Sequence, residues 1–362
     1  MKTVIADNKK LQKEFLNFRK KLYSGLGMYV DNSYFMLTEI FSGILHFTKS
    51  LSITPVMIKD DKDEILCEGV IAFAPSLPEY VQLCFFESLP NEEKAVEKIV
   101  EEAERIGRTK GCGKLVIGLC GHVNYGLGLL DSHFDGCNSF SSPGNPDFYN
   151  DYFRNLNCSK IKLNSYYTHT LDDRLLRYKR VIDKLDREYE FREFDKKRFK
   201  EDSKIYTDLN NLCFDNHRYY YHREYEDDEE MLRELFLFIR PDSLIYAFKD
   251  EKPVGFILWY PDYNELAKPG EIFGTKHFFK NKISNGKIKT AKVMEYAVLD
   301  EYRGSGLPLA LIKKVYDILD RYGTTRVETS WILDENEDSN SFCRAICDEA
   351  YKDYAVYEKE IR

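Results

Sequence analysis

The stretch "VMEYAVLDEYRGSGLPLALIKKVYDIL", residues 293–319, holds the residue types whose spacing carries the most chemistry in this chain. A strand pattern ends at Leu299, a four-residue turn follows, and a helical pattern opens within Arg303–Pro308. At such a junction the first helical N–H groups lack partners and carry the positive end of the helix dipole, so the turn suits an anion. Gly304 and Gly306 permit positive φ and let the backbone approach a pyrophosphate with no Cβ in the way. Arg303 can donate a charge-assisted hydrogen bond or brace the turn, and Ser305 and Leu307 complete it. Pro308 supplies no N–H. One lost charged hydrogen bond is worth about 1.5–3 kcal/mol, while proline itself is comfortable in a first helical turn. The competing reading is an ordinary corner punctuated by glycine and proline.

The strand feeding this turn carries Glu295 between Met294 and Tyr296. A carboxylate among apolar neighbours can have a raised pKa and act as a general base, directly or through water. An outward-facing, solvated carboxylate fits the pattern equally well. Tyr296 is the alternative, as an acid or as a wall of the substrate site. His217 and His222 lack helical i,i+4 register in a Tyr-rich, helix-like stretch and read as packing residues. Cys343 and Cys347 stand one helical turn apart with no His or further Cys nearby. All nine cysteines, scattered and without a CxxC pair, read as reduced thiols, with no metal and no disulfide.

These groups sit in a chain of 362 residues, a length that suits two domains. Hydrophobic residues make up 43%, enough for two cores, and the 26 Tyr and 24 Phe suit half-buried clefts as well as interiors. The net charge of −8 argues against a general nucleic-acid or membrane binder, because both need a positive field. No run of about 18 apolar residues occurs, which predicts no membrane span. The first twenty residues contain neither a long apolar run nor a small-residue cleavage site, which predicts no signal peptide and a cytoplasmic location.

Strand and helix patterns alternate in both halves. In the first, "ITPVMIKD", "ILCEGVIAFAP" and "EYVQLCFFES" read as strands, "NEEKAVEKIVEEAERIGRTKG" as a helix closed by Gly111, and "KLVIGLCG" as a strand. In the second, "EYEFREF" is a strand, helices follow around 198–214 and 228–239, and "SLIYAFKDEKPVGFILWYP" is a hairpin turning at Asp250–Pro253. Then come the strand "KVMEYAVL", the helix after Gly306, the strand "RVETSWIL", a helix from about Asn336 and the closing strand "DYAVYEKE". Both halves share the order strand pair, strand, turn, helix, strand. The mixed-charge stretch "LDDRLLRYKRVIDKLDREYE" reads as a solvated helix joining them. The expected division is therefore 1–172, a linker at 173–187, and 188–362.

The two halves differ at the equivalent turn. In the first it reads "FFESLPNEEKA", without glycine, and Glu87, Glu92 and Glu93 would repel a doubly charged ligand. Gly126 and Gly128 follow a different strand and read as a loop. In the second half Lys276, Lys280, Lys282, Lys287, Lys289 and Lys292 occur with no acidic residue among them. They form either a solvated loop or a patch for an anionic group. Tyr219, Tyr220, Tyr221 and Tyr225 can line an acceptor site or pack, and Asp227–Glu230 reads as a charge cluster at a helix N-terminus.

Val298, four residues, then Arg303-Gly304-Ser305-Gly306-Leu307 resembles the acetyl-CoA signature V-x4-R-x-x-G-x-G/A of the GCN5-related N-acetyltransferases (GNAT). The tail "SWILDENEDSNSFCRAI" with "YKDYAVYEKE" is similar to that of a group of tandem-domain bacterial members, as are "FFESLPNEEKAVEKIVEEAE" and "GLLDSHFD" through "SSPGNPDFYNDYF" in the first half. The resemblance implies an α/β fold with a mixed sheet in each of two tandem GNAT-like domains, the first degenerate. It implies two strands that splay apart, with pantetheine against the backbone of Val298 and Leu299, the pyrophosphate on the turn, and Asn336 at the cofactor. The final Gly/Ala of the signature is Pro308, and the place of a thiolate-protonating Tyr, seven residues after Asn336, is taken by Cys343.

The expected function is acyl-CoA-dependent N-acyl transfer, with acetyl-CoA or another acyl-CoA as co-substrate and a small-molecule or peptide amine as acceptor. A non-catalytic acyl-CoA- or partner-binding protein is one alternative. A tRNA-dependent aminoacyltransferase is the other, set against the overall acidity.

Overall fold

A computed structural model describes residues 1–169, 173–237, 239–283 and 288–362. The chain opens with β1 (Lys2–Ile5), α1 (Lys9–Leu26) and α2 (Tyr34–Ser42). Strands β2 (Ser52–Lys59), β3 (Ile65–Phe73) and β4 (Tyr80–Ser88) lead to α3 (Glu93–Lys110) and β5 (Lys114–Ile117). Then come β6 (Leu129–Leu130), α4 (Phe148–Asn155) and β7 (Ser159–Thr168). The second half begins with α5 (Asp173–Leu176), α6 (Lys179–Glu188), β8 (Glu190–Glu193), α7 (Phe199–Cys213) and α8 (Tyr225–Leu235). It continues through β9 (Leu244–Lys249), β10 (Lys252–Pro261), α9 (Thr275–Ile283), β11 (Thr290–Val298) and α10 (Leu307–Arg321). It closes with β12 (Arg326–Thr329), β13 (Ile332–Leu333), α11 (Glu337–Ile346) and β14 (Glu349–Glu360).

The chain folds as two compact units whose membership is not linear. The first comprises 1–164, 267–276 and 352–362; the second comprises 165–266 and 277–351. These memberships differ from the division into 1–172, 173–187 and 188–362. The closing strand returns to the first unit, where Tyr357 pairs with Ile117 of β5 and Tyr354 with Leu130 of β6. The end of β7 lies in the second unit, where Tyr167 and Thr168 pair with Glu328 and Val327 of β12.

Each unit carries the shared order expected from the sequence. In the first, β1–β2–β3–β4 run antiparallel to their neighbours and β4 pairs parallel with β5. In the second, β8–β9–β10–β11 run antiparallel and β11 pairs parallel with β12. The β9–β10 turn places Asp250 and Glu251 at φ 49° and 65°. It is a two-residue hairpin turn made without glycine.

Helix α10 forms because Leu307, Leu311, Val315 and Leu319 recur at helical spacing and bury one stripe against β10 and β11. Its other neighbour is α6. Ile182 and Leu185 of α6 are buried, and Lys314 of α10 pairs with Asp186 at 2.9 Å. The stretch expected to be a solvated linker is thus a packed helix of the second unit. Its Leu175, Ile182 and Leu185 were hidden in the sequence by the charged residues around them, a half-buried pattern that reads as polar overall.

Candidate active site

The second unit's site is built on β11. Its parallel pairing with β12 runs from Thr290–Arg326 to Val293–Thr329, with a last bond from Ser330 N–H to Val293 O at 2.8 Å. Beyond that point β11 continues to Val298 while pairing only with β10, so the two strands part. A bulge at Met294 shifts the register between the Trp259–Val293 and Leu258–Glu295 pairs. Leu299 N–H bonds Val254 O on the β10 side. By the alternation of a strand, Tyr296 and Val298 therefore turn their backbone groups towards the gap.

Glu295 stands where the strands part. Its Oε2 accepts a 2.6 Å hydrogen bond from Tyr206 Oη on α7. Oε1 takes no hydrogen bond from any described residue, and it is not among the fully buried oxygens. The residue is half-buried, and burial pushes its carboxyl up to about 7. The Tyr206 hydrogen bond opposes that rise, Asp228 adds to it, and Arg223 works against it. The solvated-carboxylate reading of Glu295 does not describe this environment.

Tyr296 lies on the opposite face of the strand, 5.5 Å ring to ring from Phe342 of α11. Burial, then the neighbouring Cys343, raise its phenol well above the ordinary tyrosine range. Cys343 is buried in the core, and its thiol is raised by its hydrogen bond to Cys347 and by burial. Asn336 caps α11, its Oδ1 accepting Ser339 N–H at 3.1 Å. Asn340, which the sequence did not single out, is buried and secures the same corner. Its amide donates to Leu333 O and Asn336 O at 2.9 Å, and its oxygen accepts from Tyr166 Oη at 3.0 Å.

The turn after Val298 runs through a short 3-10 segment at Asp300–Tyr302. Gly304 and Gly306 have φ 74° and 86°, so both use the left-handed freedom that glycine has. Their N–H groups take no hydrogen-bond partner among the described residues, and a Cβ on Gly304 would meet nothing within 4 Å. The helix itself offers less. Leu307 N–H donates to Ser305 Oγ at 3.2 Å, Leu309 N–H to Gly306 O at 2.9 Å, and Pro308 has none. Arg303 braces the turn, paired with Asp300 at 2.8 Å and 3.5 Å from Cys213 O at the end of α7.

The loop between α7 and α8 is a series of turns rather than the helix-like stretch expected. His217 lies 6.1 Å from the Trp331 ring, and burial pushes it down to about 4, so it stays neutral near pH 7. Arg218 holds Glu335 with two bonds, at 2.8 and 3.2 Å. Tyr219 and Tyr220 are buried, whereas Tyr225 is 45% exposed. The lysines of the 276–292 stretch are largely engaged. Lys276 pairs with Glu271, Lys280 and Lys289 donate to the carbonyls of Leu266 and Gly323, and Lys292 is buried. The Lys282 side chain and Lys287 lie outside the described residues. Among the described residues no group of three or more His, Cys, Asp or Glu is placed to hold a metal. No described helix is long and apolar enough to cross a membrane.

The first unit's equivalent corner is filled from within. Ser88 N–H donates to Tyr149 Oη at 2.8 Å, which in turn donates to Glu87 Oε2 at 2.9 Å. Glu92 N–H donates to Tyr152 Oη at 3.1 Å, and that hydroxyl donates to Leu89 O at 2.9 Å. Glu87 is not a surface charge facing the turn. It is buried and bound to Arg19 at 2.6 Å, and Arg19 also clamps Asp31 at 2.9 and 3.0 Å.

A mixed sheet whose central parallel pair parts beside a glycine turn and helix is the acyl-CoA N-acyltransferase fold. Residues 204–347 match the family described as Acetyltransferase (GNAT) family. That match covers part of the chain, and the fold as a whole is that of tandem-domain GNAT proteins. Protein YghO of Escherichia coli (strain K12) is 27% identical over 271 residues, 72% of this chain and 69% of that protein. Among solved structures, a tandem GNAT protein from the clavulanic acid biosynthesis pathway aligns with TM-score 0.57 at 11% identity, over 100% of this chain and 98% of that one. A GCN5-related N-acetyltransferase from Sphaerobacter thermophilus aligns with TM-score 0.50 at 13% identity, over 85% and 81%. These likenesses identify the fold, and the match over residues 204–347 supports acyl-CoA-dependent N-acyl transfer in general terms.

Proposed function

We propose that the chain transfers an acetyl group from acetyl-CoA to an amine, with the co-substrate held by the second unit and Glu295 as general base. The observation that carries this reading is the strand β11, which presents a half-buried carboxylate where its neighbour parts from it and ends in two glycine N–H groups without partners. The glycine N–H groups and the helix dipole suit the phosphates, with Arg303 adding a charge. The backbone of Val298 lines the gap, whereas that of Leu299 is engaged with Val254 O and Tyr302 N–H. Ser305 and Leu307 hold the turn in shape, and Asn336 fixes the start of α11.

Acetyl-CoA supplies an activated acyl group as a thioester. Glu295, poised at about 7, takes a proton from the acceptor ammonium so that the free amine can attack the thioester carbonyl. The C–N bond forms, the C–S bond breaks, and the CoA thiolate leaves and takes up the proton that the amide nitrogen gives off. Tyr296 keeps its proton at physiological pH and serves as a hydrogen-bond donor in the wall of the site. The first unit does not share this role, because its own Tyr149 and Tyr152 occupy the backbone groups that the second unit leaves open.

Calorimetric titration of acetyl-CoA, followed by an amine-acceptor screen, tests this reading. One site per chain is expected, weakened about tenfold or more by Arg303→Ala, with transfer abolished by Glu295→Gln. Two sites per chain, or transfer indifferent to both changes, would overturn it. A non-catalytic acyl-CoA-binding protein is the second reading, favoured by the self-satisfied first turn of α10. It predicts tight binding and no transfer to any amine.

A further inference from the structure

Resting on the role proposed for Glu295, we propose that Tyr206 is the positioning residue of this site. Its phenol holds one carboxylate oxygen of Glu295, so that the other is presented to the acceptor amine. The two residues come from different elements, α7 and β11, and meet through a 2.6 Å hydrogen bond. Tyr206 is 1% exposed and its ring stands edge-on to Phe256 at 5.1 Å, so the hydroxyl has little freedom to move. A glutamate on a strand otherwise has three free torsions, and a fixed donor on Oε2 removes most of that freedom.

The other groups that act on this carboxyl are engaged elsewhere. Arg223, in the turn before α8, is buried against Asp228 with a 2.6 Å bond, and Tyr220 Oη donates to Asn211 at 2.7 Å. Cys213, at the end of α7, has its thiol raised to about 12 by burial. Tyr206 alone among these groups makes a hydrogen bond to Glu295. Burial and the Glu295 charge hold its phenol in the protonated form, so the direction of the hydrogen bond is fixed. Donation to the charged carboxylate favours that form and partly offsets the effect of burial.

The test needs no known acceptor. Carboxyl carbons of glutamate are followed by 13C NMR against pH in the full chain, with Glu295→Gln identifying the resonance. In Tyr206→Phe the Glu295 midpoint should move up, by about one pH unit for the loss of one strong hydrogen bond. Site-specific 3-fluorotyrosine at position 206, a stronger donor that preserves the packing, should move it down. Acetyl-CoA affinity should be unchanged in both. A purely structural role for Tyr206 predicts no shift in either variant, and unmoved midpoints would overturn the proposal. If Tyr206→Phe fails to fold, the fluorotyrosine variant decides alone. A wild-type midpoint in the ordinary carboxylate range would instead remove Glu295 as the base, and with it this proposal.

Discussion

Pro308 is the one residue in the glycine turn that departs from what an anion site requires, and the local hydrogen bonds define its cost. Around it, Leu307 N–H is taken by Ser305 Oγ and Leu309 N–H by Gly306 O, which leaves the two glycine N–H groups as the free donors of the turn. Ser305 can turn away when a better acceptor arrives. Position 308 cannot contribute whatever binds. Replacing Pro308 with Ala restores an N–H at the second helical position without the entropy cost of glycine. Acetyl-CoA should bind about tenfold more tightly, as expected for one added charge-assisted hydrogen bond, and the thermal midpoint should change little. Calorimetry on the two proteins measures this. An unchanged affinity would mean that the phosphates rest on the glycines alone.

At the level of elements, the sequence carried most of the strand and helix order but not the polar contacts between elements. The β11 strand, the glycine turn and α10 were legible because their signals are local: Val and Ala alternation, Gly304 and Gly306, and leucines at helical spacing. The contact between Tyr206 and Glu295 was not legible, because 89 residues separate the partners and a tyrosine in a helix reads as packing. Nor was the network of Arg19, Asp31 and Glu87, of which the sequence pointed only to Glu87, as a charge at the turn. The buried face of α7 did leave a trace: Asp202, Ser203, Tyr206 and Asn210 form a polar stripe at helical spacing.

The β3–β4 pair carries a prediction of the same kind. Glu68 lies opposite Glu87 in the register, is fully buried, and neither of its oxygens has a hydrogen-bond partner among the described residues. Burial raises its carboxyl well above the ordinary range, with Glu87 and Asp31 adding to the rise and Arg19 opposing it. The folded state therefore keeps a proton that the unfolded chain releases near pH 4 to 5. The stabilisation is full below that unfolded value and declines as pH rises towards the folded one. Glu87, raised to about 7, contributes in the same sense up to neutrality. Denaturant midpoints of the wild type should therefore fall, as pH rises above the unfolded carboxylate range, more steeply than those of Glu68→Gln, which keeps the shape without the ionisation. Parallel curves would contradict the account of Glu68 as a buried acid.

For the whole molecule, the consequence of the non-linear division is that the C-terminus belongs to the first unit. Residues Tyr354 to Tyr357 are at most 1% exposed, and Tyr357 Oη donates to Asn150 of α4 at 3.0 Å. Ile361 N–H bonds Gly113 O, and Lys359 pairs with Glu104 of α3 at 2.7 Å. Burying a large side chain stabilises a fold by about 1.5–3 kcal/mol, so Tyr354, Val356 and Tyr357 together contribute on the scale of a domain's whole stability of about 5–15 kcal/mol. A chain ending at Tyr351 should therefore lose the first unit, although the cut removes the end of what reads as the second half. Amides of β5 and α4 should then exchange hydrogen freely, while those of β11 and α10 stay protected and acetyl-CoA still binds. Loss of protection in α10 with β5 intact would place the last strand in the second unit's core and reverse the argument.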